Sequence, residues 1–162
     1  MAITYILAFI ALAIILYNSY IKFRVYKSRV SFQSSIDIIE LPIITAHTRY
    51  GKLNFLLDTG SSDCILSSRV IKDRNIIDVD SNTNLNCVSA AGTLNVEGIV
   101  TLNIKIKEEL FKTPFVILNM DTALDHIKVS EGATIHGILG ANFFEQNKYV
   151  LDFKDNSFYI KH

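Results

Sequence analysis

Residues 3–21 read ITYILAFIALAIILYNSYI, with no charged side chain and only Thr4, Asn18 and Ser19 clearly polar. A run of this length and character is close to the roughly 20 residues that a helix needs to cross the hydrocarbon core of a bilayer. Tyr5, Tyr17 and Tyr20 stand near its ends, where aromatic belts form. A cleaved signal peptide is the main rival. It would want a basic n-region, yet residues 1–5 contain no Lys or Arg, and it would want a small-residue cleavage site, which does not follow Leu16. The reading is therefore an uncleaved anchor over residues 1–21. Lys22, Arg24, Lys27 and Arg29 follow at once and no basic side chain precedes the run. The positive-inside rule then puts the C-terminal side in the cytoplasm, as a single-pass protein. Residues 22–35 read as a basic juxtamembrane linker near anionic lipid. Everything else must fold within residues 36–162.

That remainder is long enough for one domain. The whole chain of 162 residues is 49% hydrophobic and 20% charged, which excludes a disordered chain. Sixteen basic and 16 acidic residues cancel, so no excess of charge points to nucleic acid. The two cysteines, Cys64 and Cys87, make neither a disulfide framework nor a metal-ligand pattern. They suit a reducing compartment as buried thiols, a single bridge between them being the alternative. The four histidines are scattered, and no metal site is expected.

From residue 36 the pattern is short and β-rich. SIDIIELPIITAHT and KLNFLLDT flank Arg49-Tyr50-Gly51, a hairpin-like connection. TLNVEGIVTLNIKI, PFVILNM and YVLDFKDNSFYI continue the series, with alternation at Leu102, Ile104 and Ile106. Lys154-Asp155-Asn156-Ser157 reads as a turn between the last two strands. One short helical piece stands out, Gly140 to about Asn147. Many short strands and a single short helix predict an all-β, closed or sandwich-like architecture.

The stretch LNFLLDTGSSD, residues 53–63, asks for a chemical explanation. An apolar strand runs straight into Asp58, and a carboxylate is an expensive strand residue to bury without a partner. A carboxylate held at a strand end by a tight Thr59-Gly60 turn suits proton transfer: the Thr hydroxyl can hydrogen-bond and Gly permits close backbone approach. Two further features follow in order. CVSAAGTLNVEG at 87–98 is a Gly-containing stretch between strands. HGILGANFF at 136–144 is an apolar strand ending in Gly and leading into the short helix.

In this order the chain resembles the retropepsin-like aspartic proteases, the single-lobe relatives of pepsin, over roughly residues 36–162. Asp58-Thr59-Gly60 matches the family's catalytic triplet, preceded by hydrophobic Phe55-Leu56-Leu57. Gly137-Ile138-Leu139-Gly140 matches its second signature, and Asn142 falls where the family often keeps a polar residue. The resemblance implies a closed retropepsin-like barrel with one short C-terminal helix, here preceded by one transmembrane helix. It implies peptide-bond hydrolysis with no cofactor, on an extended polypeptide. Ala90, Ala91 and Gly92 fall at the tip of the substrate-covering flap, although the Gly-rich tip of viral enzymes is absent. Ile138 and Leu139 would be apolar walls of the cleft, with core packing equally open. Ser61 and Asp63 would border substrate. The Ser61 hydroxyl would donate to the Asp58 carboxylate and favour an acid optimum. In viral relatives an Asp near position 63 pairs with an Arg in the helix after Gly140. Ala141 and Asn142 supply no Arg, so Asp63 faces substrate or pairs elsewhere, with Arg69 a candidate.

Only one D-T-G is present; Asp121-Thr122-Ala123 lacks the Gly. One carboxylate per chain cannot both take and give a proton. The expected enzyme is a homodimer with Asp58 from each copy across a two-fold axis. The alternative is a catalytically silent dimerisation or peptide-binding module of the same fold.

Overall fold

A computed structural model describes the backbone of residues 2–77, 79–80, 86–89 and 92–160, and the side chains of these except at residues 2, 80, 86–89 and 92–95. The described chain begins with helix α1 (Ala2–Ser28), then β1 (Val30–Ser31), α2 (Gln33–Ile39), β2 (Ile43–Thr48), β3 (Gly51–Leu57), β4 (Ile65–Ser67) and α3 (Ser68–Asp73). It continues with β5 (Val79–Asp80), β6 (Asn86–Ser89), β7 (Gly92–Ile106), β8 (Glu109–Leu118), α4 (Asp121–Glu131), β9 (Gly137–Leu139), α5 (Ala141–Asn147), β10 (Tyr149–Asp152) and β11 (Ser157–Ile160).

Strands β2, β3, β9, β4, β8 and β7 pair in that order, and β2 meets β7 again at His47 opposite Lys105, which closes a barrel. Closure removes the exposed edges that an open sheet of these strands would leave. Period-2 side-chain direction explains the filling. Leu53, Phe55 and Leu57 of β3 point inward with Leu102, Ile104 and Ile106 of β7, while Asn103 and Lys105 do not join the core. Phe55 stacks on Phe115 of β8 with ring centroids 5.3 Å apart.

A second, three-stranded sheet lies beside the barrel in the order β1-β11-β10. Its aromatic residues cluster with those of α5: Tyr149 stacks on Phe158 at 3.8 Å, and Phe143 and Phe144 pack against Phe158. Phe32, just after β1, is 1% exposed and belongs to the same core. Residues 22–35, read from sequence as a linker, therefore carry the last turns of α1, all of β1 and the start of α2. Basic spacing does not show this, because Val30 and Phe32 find their partners only in the far C-terminal strands.

Among the described residues, three helices besides α1 accompany the expected α5. Residues in SIDIIE, read as strand, form α2. Ile36 packs on the core and Ile39 is buried while Ile38 is 76% exposed, a spacing of three rather than two. Ser35 lends its hydroxyl to Phe32 O at 2.9 Å, and Glu40 ends the helix in the left-handed region. Helix α3 starts at Ser67, whose Oγ accepts the Arg69 N–H at 3.2 Å. Helix α4 includes the near-miss Asp121-Thr122-Ala123 in its first turn and ends at Gly132 with φ 70°. Of its apolar residues only Leu124 is buried, so its sequence pattern is faint.

Helix α1 is long and apolar enough to cross a membrane, and its apolar side chains touch little of the protein: Ile3 and Phe9 are each 73% exposed.

Because Phe32 ties the N-terminal segment to the C-terminal sheet, Phe32→Ala should destabilise the domain by about 3–5 kcal/mol. Urea unfolding monitored by near-UV dichroism checks this, and a loss below about 1 kcal/mol would mean that Phe32 is not a core residue in solution.

Candidate active site

The site is built by threading β9 between β3 and β4. Strand β9 runs parallel to β3, with Leu56 opposite Ile138 and Leu57 opposite Leu139, and antiparallel to β4, with Ile65 opposite Ile138. One step beyond β3, the Asp58 N–H donates to the Leu139 carbonyl at 3.1 Å. The two sequence signatures, remote in the chain, are thus hydrogen-bonded neighbours.

Asp58 is half-buried at the strand end, and Thr59 and Gly60 lie exposed on the turn that follows. The Gly60 N–H donates to Asp58 Oδ1 at 2.8 Å and the Ser61 N–H to Asp58 O at 3.3 Å, which fixes the carboxylate relative to its own backbone. A Cβ on Gly60 would sit 3.1 Å from Asp58 Oδ1. The Ser61 hydroxyl does not donate to this carboxylate. It donates to the Asp63 carbonyl at 2.8 Å, two residues along, because the turn folds that carbonyl back toward it.

Helix α5 holds the rest of the loop. It begins after Gly140, which has no side chain to cap it. Loop carbonyls take the place of a cap: Ala141 N–H donates to Ser61 O at 2.7 Å and Asn142 N–H to Ser62 O at 3.1 Å. The approach is so close that a Cβ on Gly140 would lie 2.7 Å from Ser61 O and collide with Asp63 O. A Cβ on Gly137 would likewise run into the Ile65 carbonyl of β4. The Gly-apolar-apolar-Gly pattern is a packing requirement on both sides of β9.

Asp63 is exposed, and its Oδ1 accepts a hydrogen bond from Asn142 Nδ2 at 3.1 Å. Asn142 Oδ1 accepts from Cys64 Sγ at 3.2 Å. A neutral amide thus bridges Asp63 and Cys64. Burial pushes the Cys64 thiol up to about 11, with the Asp63 carboxylate adding to the effect, so it stays protonated and can donate. Arg69, the candidate partner of Asp63, is engaged elsewhere. It binds Asp125 of α4 through two contacts of 2.6 and 2.9 Å and reaches Asp121 at 3.1 Å. That pairing holds the guanidinium above its ordinary range and the Asp125 carboxyl below its own. It joins α3 to α4 rather than ordering the site loop.

Ile138 is half-buried beside the site, whereas Leu139 is fully buried in the barrel core, since alternation turns it inward. Ala90 and Ala91 lie outside the described residues. Gly92 is the first residue of β7, paired with Ser89 of β6, which makes β6 and β7 an antiparallel hairpin where a flap was expected. The side chain of Cys87 is likewise outside the described set.

His136, one of the four scattered histidines, is a hydrogen-bonded structural member of this assembly. Its Nδ1 accepts the Asn54 N–H of β3 at 2.9 Å, and its backbone N–H donates to Asn54 O at 2.8 Å. Accepting at Nδ1 requires a neutral ring. Burial, and then the nearby Arg74 charge, hold its proton affinity below the ordinary imidazole value. No local sequence signal marks this role, because Asn54 is its partner only through the β3–β9 pairing.

A family model described as aspartyl protease matches residues 50–143, more than half of the chain. The chain belongs to that aspartyl protease family. Among solved structures, the retroviral protease-like domain of Ddi1 from Leishmania major superposes with a TM-score of 0.53 at 12% identity, covering 74% of this chain and 86% of that one. The EIAV protease bound to the inhibitor HBY-793 gives 0.49 at 18% identity, over 65% and 86% of the two chains. A retropepsin-like aspartic protease from Rickettsia conorii gives 0.44 at 19% identity, over 72% and 77%. A search of curated proteins finds no match. The fold is that of the retropepsin-like aspartic proteases.

Gly140→Ala should cost at least about 2 kcal/mol, since the added methyl meets backbone carbonyls and not a yielding side chain. Thermal unfolding beside wild type measures it, and an unchanged midpoint would contradict the packing described for β9. For His136 the sign follows from its depressed affinity. The unfolded chain binds the proton more readily, so stability at this residue is complete above about pH 6.5 and falls as the pH drops below it. His136→Asn retains an acceptor near Nδ1 without titrating. Its unfolding midpoint should change less than that of wild type between pH 7.5 and 5, and parallel curves would exclude the effect.

Proposed function

We propose that the protein is a membrane-anchored aspartic endopeptidase that works as a homodimer, with Asp58 contributed by each copy. The observation that carries the reading is the held carboxylate: Asp58, in a D-T-G turn, hydrogen-bonded to the second signature through Leu139 O and to Gly60 through its own side chain. One chain brings a single such carboxylate to the site. Hydrolysis of a peptide bond by water needs one group to accept a proton and one to donate one. Two carboxylates brought within about 3 Å cannot both ionise, so they share a proton and divide these roles. The ionised member takes a proton from water as it attacks the scissile carbonyl. The protonated member donates to the carbonyl oxygen, and the leaving nitrogen is protonated as the C–N bond breaks.

The substrate in this reading is an extended polypeptide gripped by main-chain hydrogen bonds, with the β6–β7 hairpin covering it. Asp63 and Ile138 border the cleft. Leu139 supports it from the core. Thr59 and Gly60, exposed in one chain, fall at the junction of the two copies. Helix α1 is the anchor. The basic residues that follow it favour a cytoplasmic protease domain, and confinement to one membrane raises the local concentration for pairing.

The test is cleavage of a diverse peptide library by the full chain in proteoliposomes from pH 4 to 7.5, with Asp58→Asn alongside. Wild type should cut. The variant should fold and pair normally yet lose at least about 10³-fold in rate, the scale of general acid–base catalysis. Cleavage that survives in the variant would remove Asp58 from the mechanism. A folded, dimeric wild type that cuts nothing would leave a peptide-binding module of the same fold.

A further inference from the structure

Helix α1 is not tethered by a loose linker. It ends at Ser28, and after Arg29 alone the chain is already in β1, hydrogen-bonded to β11 with Val30 opposite Phe158. The junction is clasped from both sides. Ser28 Oγ accepts the Ile160 N–H at 3.1 Å and donates to Val25 O at 3.0 Å, so one hydroxyl bonds both the last turn of the helix and the last strand. Arg29 donates to Asp155 Oδ2 at 2.9 Å and to Ser157 Oγ at 3.0 Å, and its guanidinium lies 4.4 Å from the centroid of the Tyr159 ring. Phe32 then enters the core.

From this clasp a continuous path of packed structure leads to the site. Strand β11 pairs with β10, their aromatics pack on Phe143 and Phe144 of α5, and the first turn of α5 donates to Ser61 O and Ser62 O in the Asp58 loop. The 27 residues of α1 rise about 40 Å, of which the uncharged run takes nearly the thickness of a hydrocarbon core. The basic last turns are then left to cross the headgroup zone, with the domain starting at its outer edge.

We infer that the Ser28–Arg29 clasp makes the anchor a ruler: it holds the active site at one height above the bilayer, so that the preferred substrates are juxtamembrane segments of proteins in the same membrane. The inference rests on the protease reading above and deepens it. It also constrains the dimer. Two clasped helices entering one membrane from the same side place the two-fold axis along the membrane normal, and both Asp58 residues then stand at equal height. A flexible tether would instead let the site sample a wide range of heights, with an effective concentration that varies slowly with distance.

The experiment uses the full chain in proteoliposomes with two forms of the peptide cut best in the library. One is soluble. The other is fused to a membrane helix, with the cut site set at increasing distances from the bilayer. Wild type should cleave the anchored series with a peak at one spacing and a fall of at least about tenfold away from it. A flexible Gly/Ser insert between Ser28 and Arg29 should flatten that profile to within about twofold while leaving the soluble rate unchanged. The pair Ser28→Ala with Arg29→Ala, which keeps chain length, should broaden the peak in the same sense, and it stands in if the insert disturbs folding. A flat profile for wild type, or an unshifted sharp peak in both variants, overturns the ruler while the protease reading stands on the soluble peptide. Absence of Asp58-dependent cleavage of the soluble peptide overturns both.

Discussion

Everything around Asp58 depends on the placing of β9 between β3 and β4. A three-residue strand makes parallel bonds to one neighbour and antiparallel bonds to the other, and it fits because its first residue, Gly137, and the residue just after it, Gly140, have no side chains. The Ile65 carbonyl occupies the space that a Cβ of Gly137 would need, and the Asp63 and Ser61 carbonyls occupy that of Gly140. Such contacts between backbone and backbone cannot be relieved by a rotamer change, which is why they specify one arrangement so strongly. From this placement follow the Asp58 N–H bond to Leu139 O, the seating of α5 on the site loop and the His136–Asn54 exchange.

The loop after Asp58 shows a consistent way of satisfying polar groups at a strand-to-helix junction. Carbonyls of residues 61 and 62 take up the free N–H groups of α5, and Asn142 serves Asp63 and Cys64 with its two amide ends. No charge has to be buried to do this. The charged residues near the site, Arg69 with Asp121 and Asp125, instead bind two surface helices together. An exposed pair of this kind contributes little energy but sets the relation of α3 to α4.

The three-stranded sheet joins the segment after α1 to the last two strands. Because β1 is completed by β11, the segment after α1 is part of the domain fold and not an attachment to it. The same hydrophobic core that buries Phe32 also holds Phe143 and Phe144 of α5. Support of the site and attachment of the helix therefore share one piece of core.

The barrel strands, the D-T-G turn and the start of α5 were legible in the sequence because each has a local cause: alternation, an apolar run into a carboxylate, a Gly before a short apolar helix. The uncharged run of α1 was legible for the same reason. Helix α2 was misread as strand since Ile36, Ile38 and Ile39 satisfy either period, and only burial distinguishes them. Helix α4 was missed because a single buried residue, Leu124, leaves almost no pattern. The partners of Ser61, Asp63, Arg69 and His136 were beyond the sequence, since each lies across a fold contact or depends on how a turn closes. By itself, then, the sequence determined the strand content, the carboxylate turn and the long apolar helix, all properties of neighbouring residues. The tertiary structure alone decided that β9 lies between β3 and β4, that Asn142 bridges Asp63 to Cys64, and that residues 28–32 join the C-terminal strands with Phe32 in the core. The last of these means that Val30 and Ser31 pair with β11 while Ser28 and Phe32 are buried, and all three outcomes depend on which distant segments come within reach, which no local propensity encodes.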